Sequence, residues 1–153
     1  RSDGFIEAMK NFPNIQVLPV QWTNAEAATA MNIATDLLNA NPDLVGFYSA
    51  AAPMAVGIAQ ALKAKGLDKK VKLITFDPSP EVLPLFEEGV INAIIAQDPY
   101  QMGYRGVEIL DKFIKEGKIE EEERDIQIPV AIITPENYDS PESQKLLQTP
   151  DKF

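Results

Sequence analysis

Residues 71–99 read VKLITFDPSPEVLPLFEEGVINAIIAQDP, and this stretch decides the fold because it passes twice from an apolar run to a capped helix. Val71 to Phe76 has the length and β-branched content of a strand. Ser79 and Pro80 supply an N-cap and a first helical residue, and the helix should end near Gly89. Val90 to Ala96 follows as a second buried strand, after which Asp98 and Pro99 repeat the cap-and-proline arrangement. Strand, helix and strand in this order make the repeating unit of a parallel α/β sheet.

The same alternation extends in both directions. Upstream, Leu44 to Ser49 reads as a buried parallel strand, with Pro53 in the first turn of the next helix and Gly66 placed to close it. Thr23 with Glu26 three positions later forms a capping-box pattern for a helix reaching about Ala40, which Asn41-Pro42 ends. Ile15 to Gln21 reads as a strand, preceded by a turn at Phe12-Pro13-Asn14 and a helix over Ser2 to Asn11 with Phe5, Ile6 and Met9 on one face. Downstream, the helix opened by Asp98-Pro99 is amphipathic and ends at Gly117, and Glu120 to Asp125 is a charged, solvated connection. Ile126 to Ile133 is interrupted by Pro129, which makes it an edge strand or a crossing segment. The expected fold is α/β, an open and mostly parallel sheet with helices on both faces. Residues 1–134 form the lobe, and 135–153 a crossing segment and polar tail.

Composition narrows the chemistry. The chain has 153 residues, one domain's worth, with 45% apolar and 24% charged residues as in globular proteins. Its net charge of −9 repels phosphate backbones, so nucleic acid is not an expected partner. With no Cys and no His, the chain lacks thiol nucleophiles, Ser-His-Asp triads, Cys/His zinc sites and imidazole acid-base catalysis. No metal or cofactor is expected, and none of the apolar runs reaches the roughly 20 residues of a membrane span.

In open α/β sheets ligands bind outside the carboxyl ends of the strands, where loops and helix N-termini converge. The residues there are Gln21 and Trp22, Ser49 to Ala52, Asp77, and Gln97 with Asp98. A carboxylate, an amide and an indole suit a polyhydroxylated ligand, whose hydroxyls donate and accept and whose ring face packs on an aromatic. A hydrolase would need two carboxyl groups across the scissile bond. Only Asp77 and Asp98 lie near strand ends, and Asp98 has a capping role. Each residue also has a structural reading: Arg1 as a frayed terminal charge, Asp77 as a cap, Trp22 as a partly buried packing residue, and Met54 and Met102 as core or helix-packing residues.

Arg1-x-x-Gly4-Phe5, Asn41-Pro42-Asp43, Thr75-Phe76-Asp77, the run Ala96 to Gly103 (AQDPYQMG) and Ile132-Ile133-Thr134-Pro135-Glu136-Asn137 occur in that order. As an ordered set they resemble the carboxyl-terminal lobe of ribose-binding-type periplasmic sugar-binding proteins, the solute receptors of ATP-driven (ABC) importers. The resemblance implies a non-enzymatic, two-lobed clamp. Its partners would be a small sugar, the amino-terminal lobe of the same protein and a membrane permease. Its location would be the periplasm, or the cell exterior as an anchored lipoprotein. By position, Arg1 matches the arginine that donates to sugar hydroxyls, Asp77 the aspartate that accepts from them, and Gln97 the glutamine that completes the polar ring. Trp22 matches the loop aromatic once a small gap is allowed. The family's amide after the second strand is missing at Ala51, which removes an interaction of about 0.5 to 1.5 kcal/mol. The effector-binding core of a lactose-repressor-type regulator shares the fold and is the alternative. The chain begins at Arg1, so it is expected to start downstream of its natural start and to lack the lobe's first strand; as an isolated piece it would complete its sheet with another segment, a swapped strand or a dimer partner.

Overall fold

The computed structural model describes residues 1–120, 122 and 124–147. Six helices and four strands alternate along them: α1 (Ser2–Met9), α2 (Ala27–Ala40), β1 (Gly46–Ser49), α3 (Ala52–Ala64), β2 (Lys72–Phe76), α4 (Val82–Glu87), β3 (Ala93–Ala96), α5 (Pro99–Glu116), β4 (Ala131–Ile133) and α6 (Pro141–Leu147). The sheet order is β1-β2-β3-β4, and the architecture is the expected open, mostly parallel sheet flanked by helices. The chain divides into two compact units, Arg1–Ile94 and the residues from Ile95 onward, with β3 straddling the boundary.

In the first unit β1 and β2 are parallel, with Gly46 opposite Lys72 and Ser49 opposite Thr75. Helix α3 packs on both strands and on α2 and α4. The α2 face that meets it is built of small side chains, Ala30 and Ala34, and α3 answers with Gly57, so the two helices approach closely. Leu62, Leu73, Ile91 and Ile94 are buried completely, each worth about 1.5–3 kcal/mol of burial. Leu73 and Thr75 form the covered face of β2, while Lys72 and Ile74 on its other face are exposed.

Local signals formed as their chemistry dictates. Pro53 lies in the first turn of α3. Gly66 closes that helix at φ +63°, with Leu67 N–H donating to the Leu62 carbonyl at 2.9 Å. Ser79 Oγ accepts from Val82 N–H at 3.3 Å, although α4 begins only at Val82.

Two expectations fail. Ile15 to Gln21 forms no strand, and Ile15, Val17 and Val20 are exposed. A strand needs a neighbour for its backbone groups. Pro19 has no N–H to offer, which interrupts any ladder the segment would make. The Thr23/Glu26 capping box is also absent. Asn24 and Ala25 take left-handed φ values of 50° and 60°, α2 starts at Ala27 with no side-chain cap, and Thr23 Oγ1 is buried without a hydrogen-bond partner among the described residues.

In the second unit Asp98 caps α5 by accepting from Gln101 N–H at 2.9 Å, and Gly117 ends it at φ +73°. None of the residues of α5 is buried; Val107, Leu110 and Ile114 along its apolar stripe are exposed. At the sheet edge, β4 is tied to the next turn through Asn137, whose Nδ2 donates to the Ile132 carbonyl at 2.9 Å. The segment read as a polar tail contains α6, started by Ser140, which accepts from Ser143 N–H through Oγ at 3.2 Å. Residues 121 and 123 of the charged connection and 148–153 of the tail lie outside the described residues.

Gly57 gives a direct test of the α2–α3 approach. A Cβ there would overlap the Ala27 carbonyl oxygen and stand 2.9 Å from Met31 N. Gly57→Ala is expected to destabilise the chain by about 1–3 kcal/mol, read as a lowered denaturation midpoint. An unchanged midpoint would show that the helices can separate at no cost.

Candidate functional site

The parallel register brings the carboxyl ends of β1 and β2 side by side. The hydroxyls of Ser49 and Thr75 are buried there and turned inward, Ser49 Oγ donating to the Ala51 carbonyl at 2.7 Å and Thr75 Oγ1 to the Phe76 carbonyl at 3.1 Å. Beyond them the chain leaves β1 through Ala50–Ala52 and leaves β2 through Asp77, which sits at φ +64°. Aspartate enters this left-handed region more readily than most residues because its short polar side chain bonds locally.

Arg1 meets both loops. Its Nη1 donates to the Ala50 carbonyl at 2.7 Å, its Nη2 pairs with Asp77 Oδ2 at 3.2 Å, and its guanidinium carbon lies 4.3 Å from the centre of the Phe76 ring. The residue is therefore anchored, not frayed. Helix α1 carries it there: Phe5 N–H donates to the Arg1 carbonyl at 3.1 Å, and the Phe5 ring stacks on Tyr48 with centroids 4.5 Å apart. Tyr48 in turn meets Phe76 edge-on at 6.3 Å. Sequence reasoning missed this aromatic trio. Phe76 adjoins Asp77 and was the available signal, but strand periodicity alone counts both it and Tyr48 as core.

Both side chains of the ion pair are about one-third exposed, 35% each, where such a pair contributes about 0.2–1 kcal/mol. A cation–π contact of this exposure adds about 0.5–1 kcal/mol. What the cluster achieves is placement: a planar donor fork and a carboxylate acceptor held together against an apolar wall. One hydroxyl of a polyol can accept from the fork while its neighbour donates to the carboxylate.

The other sequence candidates lie as follows. Ala51 is the N-cap residue of α3 and makes no side-chain cap. Trp22 is 80% exposed in an irregular loop and makes no ring contact among the described residues, so the packing reading of it fails. Gln97 is half-buried at the end of β3, in the second unit. A separate hollow of about 570 Å³ opens at the opposite, amino-terminal end of β1 and β2, lined by Asn41, Leu44, Val45, Lys65 and Lys70. Its lysines are exposed, and it holds none of the strand-mouth residues.

An open α/β domain with its polar groups gathered at the carboxyl ends of parallel strands is a ligand-holding fold by design. The family model described as periplasmic binding protein domain matches residues 1–119, and the chain belongs to that family. The D-allose-binding periplasmic protein of Escherichia coli is 32% identical over 119 residues, covering 78% of this chain and 38% of that protein. Among solved structures, an ABC transporter solute-binding protein from Agrobacterium vitis with bound D-fucose superposes at TM-score 0.86 with 33% identity, covering 97% of this chain and 50% of that one. A carbohydrate transporter solute-binding protein from Agrobacterium radiobacter in complex with D-arabinose gives TM-score 0.86 and 32% identity, covering 96% of this chain and 49% of that one. The chain thus spans half or less of the length of these relatives. The two solved structures are solute-binding proteins of transporters, which does not favour the transcription-regulator alternative.

Burial pushes the Tyr48 phenol above its ordinary value, and the Arg1 guanidinium pulls it partly back. A phenol whose pKa is higher folded than unfolded holds more protons in the native state, so the stability it confers is complete at lower pH and is lost as pH rises through that raised value. Tyr48→Phe is expected to flatten the fall in melting temperature as pH rises above the ordinary phenol value of about 10. Parallel melting curves for the two proteins across that range would contradict this.

Proposed function

We propose that this chain is the carboxyl-terminal lobe of the substrate-binding component of a sugar ABC importer, an extracytoplasmic receptor that binds a small carbohydrate without altering it. The observation that carries the reading is the Arg1–Asp77 pair at the mouths of adjacent parallel strands, held on the Phe76 ring. The pair contributes little to the fold, yet its two groups have the donor and acceptor character that vicinal hydroxyls require. In this reading Arg1 and Asp77 grip the sugar, exposed Trp22 offers a ring face, and Ala51 lines the floor. The amino-terminal lobe closes from the other side, and the closed clamp is what a membrane permease recognises.

Calorimetric titration with pentoses and hexoses tests it. At least one sugar is expected to bind, and Arg1→Ala and Asp77→Asn are each expected to weaken that sugar by about tenfold or more, as loss of a hydrogen bond to a charged group does. Silence across the panel, or full affinity in both variants, would refute the reading.

The reading extends to assembly. β1 ends the sheet, and Ile15, Val17 and Val20 are exposed in a segment that forms no strand. Alone, the chain is expected to complete its sheet with a swapped strand or a second copy, giving a dimer by size exclusion with light scattering. A monomer with a sharp thermal transition would overturn this extension.

A further inference from the structure

Tyr48 is half-buried in β1 and touches both ends of the support that holds Arg1, without belonging to the donor and acceptor pair. The parallel register sets it opposite Ile74 of β2. Alternation then puts Tyr48 on the face of the ladder that carries Ile74 and Phe76, opposite the face that buries Leu73 and Thr75. Across that face Tyr48 meets Phe76, its diagonal neighbour, edge-on with centroids 6.3 Å apart. Phe5 of α1 stacks on the Tyr48 ring, parallel within 1° and 4.5 Å away. The Tyr48 hydroxyl donates to the Arg1 carbonyl at 3.4 Å, the same carbonyl that accepts from Phe5 N–H at 3.1 Å.

Helix α1 needs this contact. It has eight residues, none of them buried, and is shorter than the roughly 12 to 15 residues at which a helix becomes marginally stable alone in water. Its place on the sheet is therefore fixed from outside, and the ring contact it makes among the described residues is the stack on Tyr48. Arg1 is the N-cap residue of α1, so where the helix sits decides where the arginine side chain starts. The far end of that side chain is set by the Phe76 ring, the Ala50 carbonyl and Asp77. Tyr48 joins the two ends, carrying α1 through Phe5 and contacting the ring against which the guanidinium lies.

From this we infer that Tyr48 is a positioning residue for sugar binding, acting on the ligand through Arg1. The inference rests on the sugar-receptor reading above and adds to it a residue that reaches the sugar through another. The ring does the positioning. The hydroxyl bond, at 3.4 Å, is long and weak, so phenylalanine serves in place of tyrosine and leucine does not.

The test is a double-mutant cycle read by NMR titration of the isotopically labelled chain, with the sugar of the pentose and hexose panel that binds the native chain most tightly. Phe5→Leu and Tyr48→Leu are each expected to weaken that sugar by about fivefold, the size of one aromatic contact. Phe5→Leu changes a helix with no buried residue, and it decides the matter should Tyr48→Leu not fold. Tyr48→Phe is expected to bind within about twofold of the native chain, having lost a weak neutral hydrogen bond. In the Arg1→Ala background neither leucine substitution is expected to weaken binding further, because the residue through which they act is gone. A purely structural loss would weaken both backgrounds alike. Full affinity in a folded leucine variant, an equal loss with and without Arg1, or a loss in Tyr48→Phe as large as that in Tyr48→Leu overturns this inference and leaves the sugar-receptor reading standing. If no sugar of the panel shifts the resonances of the native chain, both fall.

Discussion

The parallel pairing of β1 with β2 is the constraint on which everything else in the first unit depends. Parallel strands share one polarity, so their exits lie together, and the register that sets Ser49 against Thr75 makes Ala50 and Phe76-Asp77 neighbours. Arg1 can touch the Ala50 carbonyl, the Asp77 carboxylate and the Phe76 ring at once only because those three belong to adjacent exits. The pairing is held from behind by α3, which packs on both strands, and α3 is held by its close approach to α2 at Gly57. A change that separated the two helices would therefore act on the site at a distance, through the strands.

What could be read from the chain in advance was local. Asp98-Pro99, Pro53, Gly66 and Gly117 each act within one helical turn, and each acts in the structure as its chemistry requires. The Ser140-Pro141 pair carries the same signature as Asp98-Pro99 and starts α6, but the polar composition around it argued for a tail. Thr23 with Glu26 matched a cap only as a spacing. The left-handed turn at Asn24 and Ala25 separates Thr23 from the helix, and spacing carries no information about that. Ile15 to Gln21 was legible as an apolar alternation and not as a strand, because a strand is a property of two segments and the pattern describes one.

The site divides in the same way. Asp77 was visible as the polar residue ending a strand, and the resemblance matched Arg1 to an arginine that donates to sugar hydroxyls. The aromatic support was invisible, since Phe5, Tyr48 and Phe76 lie on three elements far apart in the chain and meet only in the folded unit. The same tertiary contacts decide that Arg1 is anchored, where its position at the first residue suggested fraying. Trp22 shows the converse: its type suited packing, but a loop with no strand beneath it leaves the indole exposed.

The weakness of the Arg1–Asp77 pair as a stabilising contact bears on why the cluster is built as it is. An arginine side chain has about 2 kcal/mol of rotamer entropy to lose when it is fixed, more than a one-third-exposed ion pair returns. Phe76 and the Ala50 carbonyl supply the rest of the ordering, so the guanidinium plane is set before any ligand arrives. A ligand that bound a mobile arginine would bear that ordering cost itself and bind correspondingly less tightly. In the proposed reading a hydroxyl entering here would have only to exchange with Asp77 for one edge of a fork already in position, and the displaced carboxylate would be left as an acceptor for a neighbouring hydroxyl.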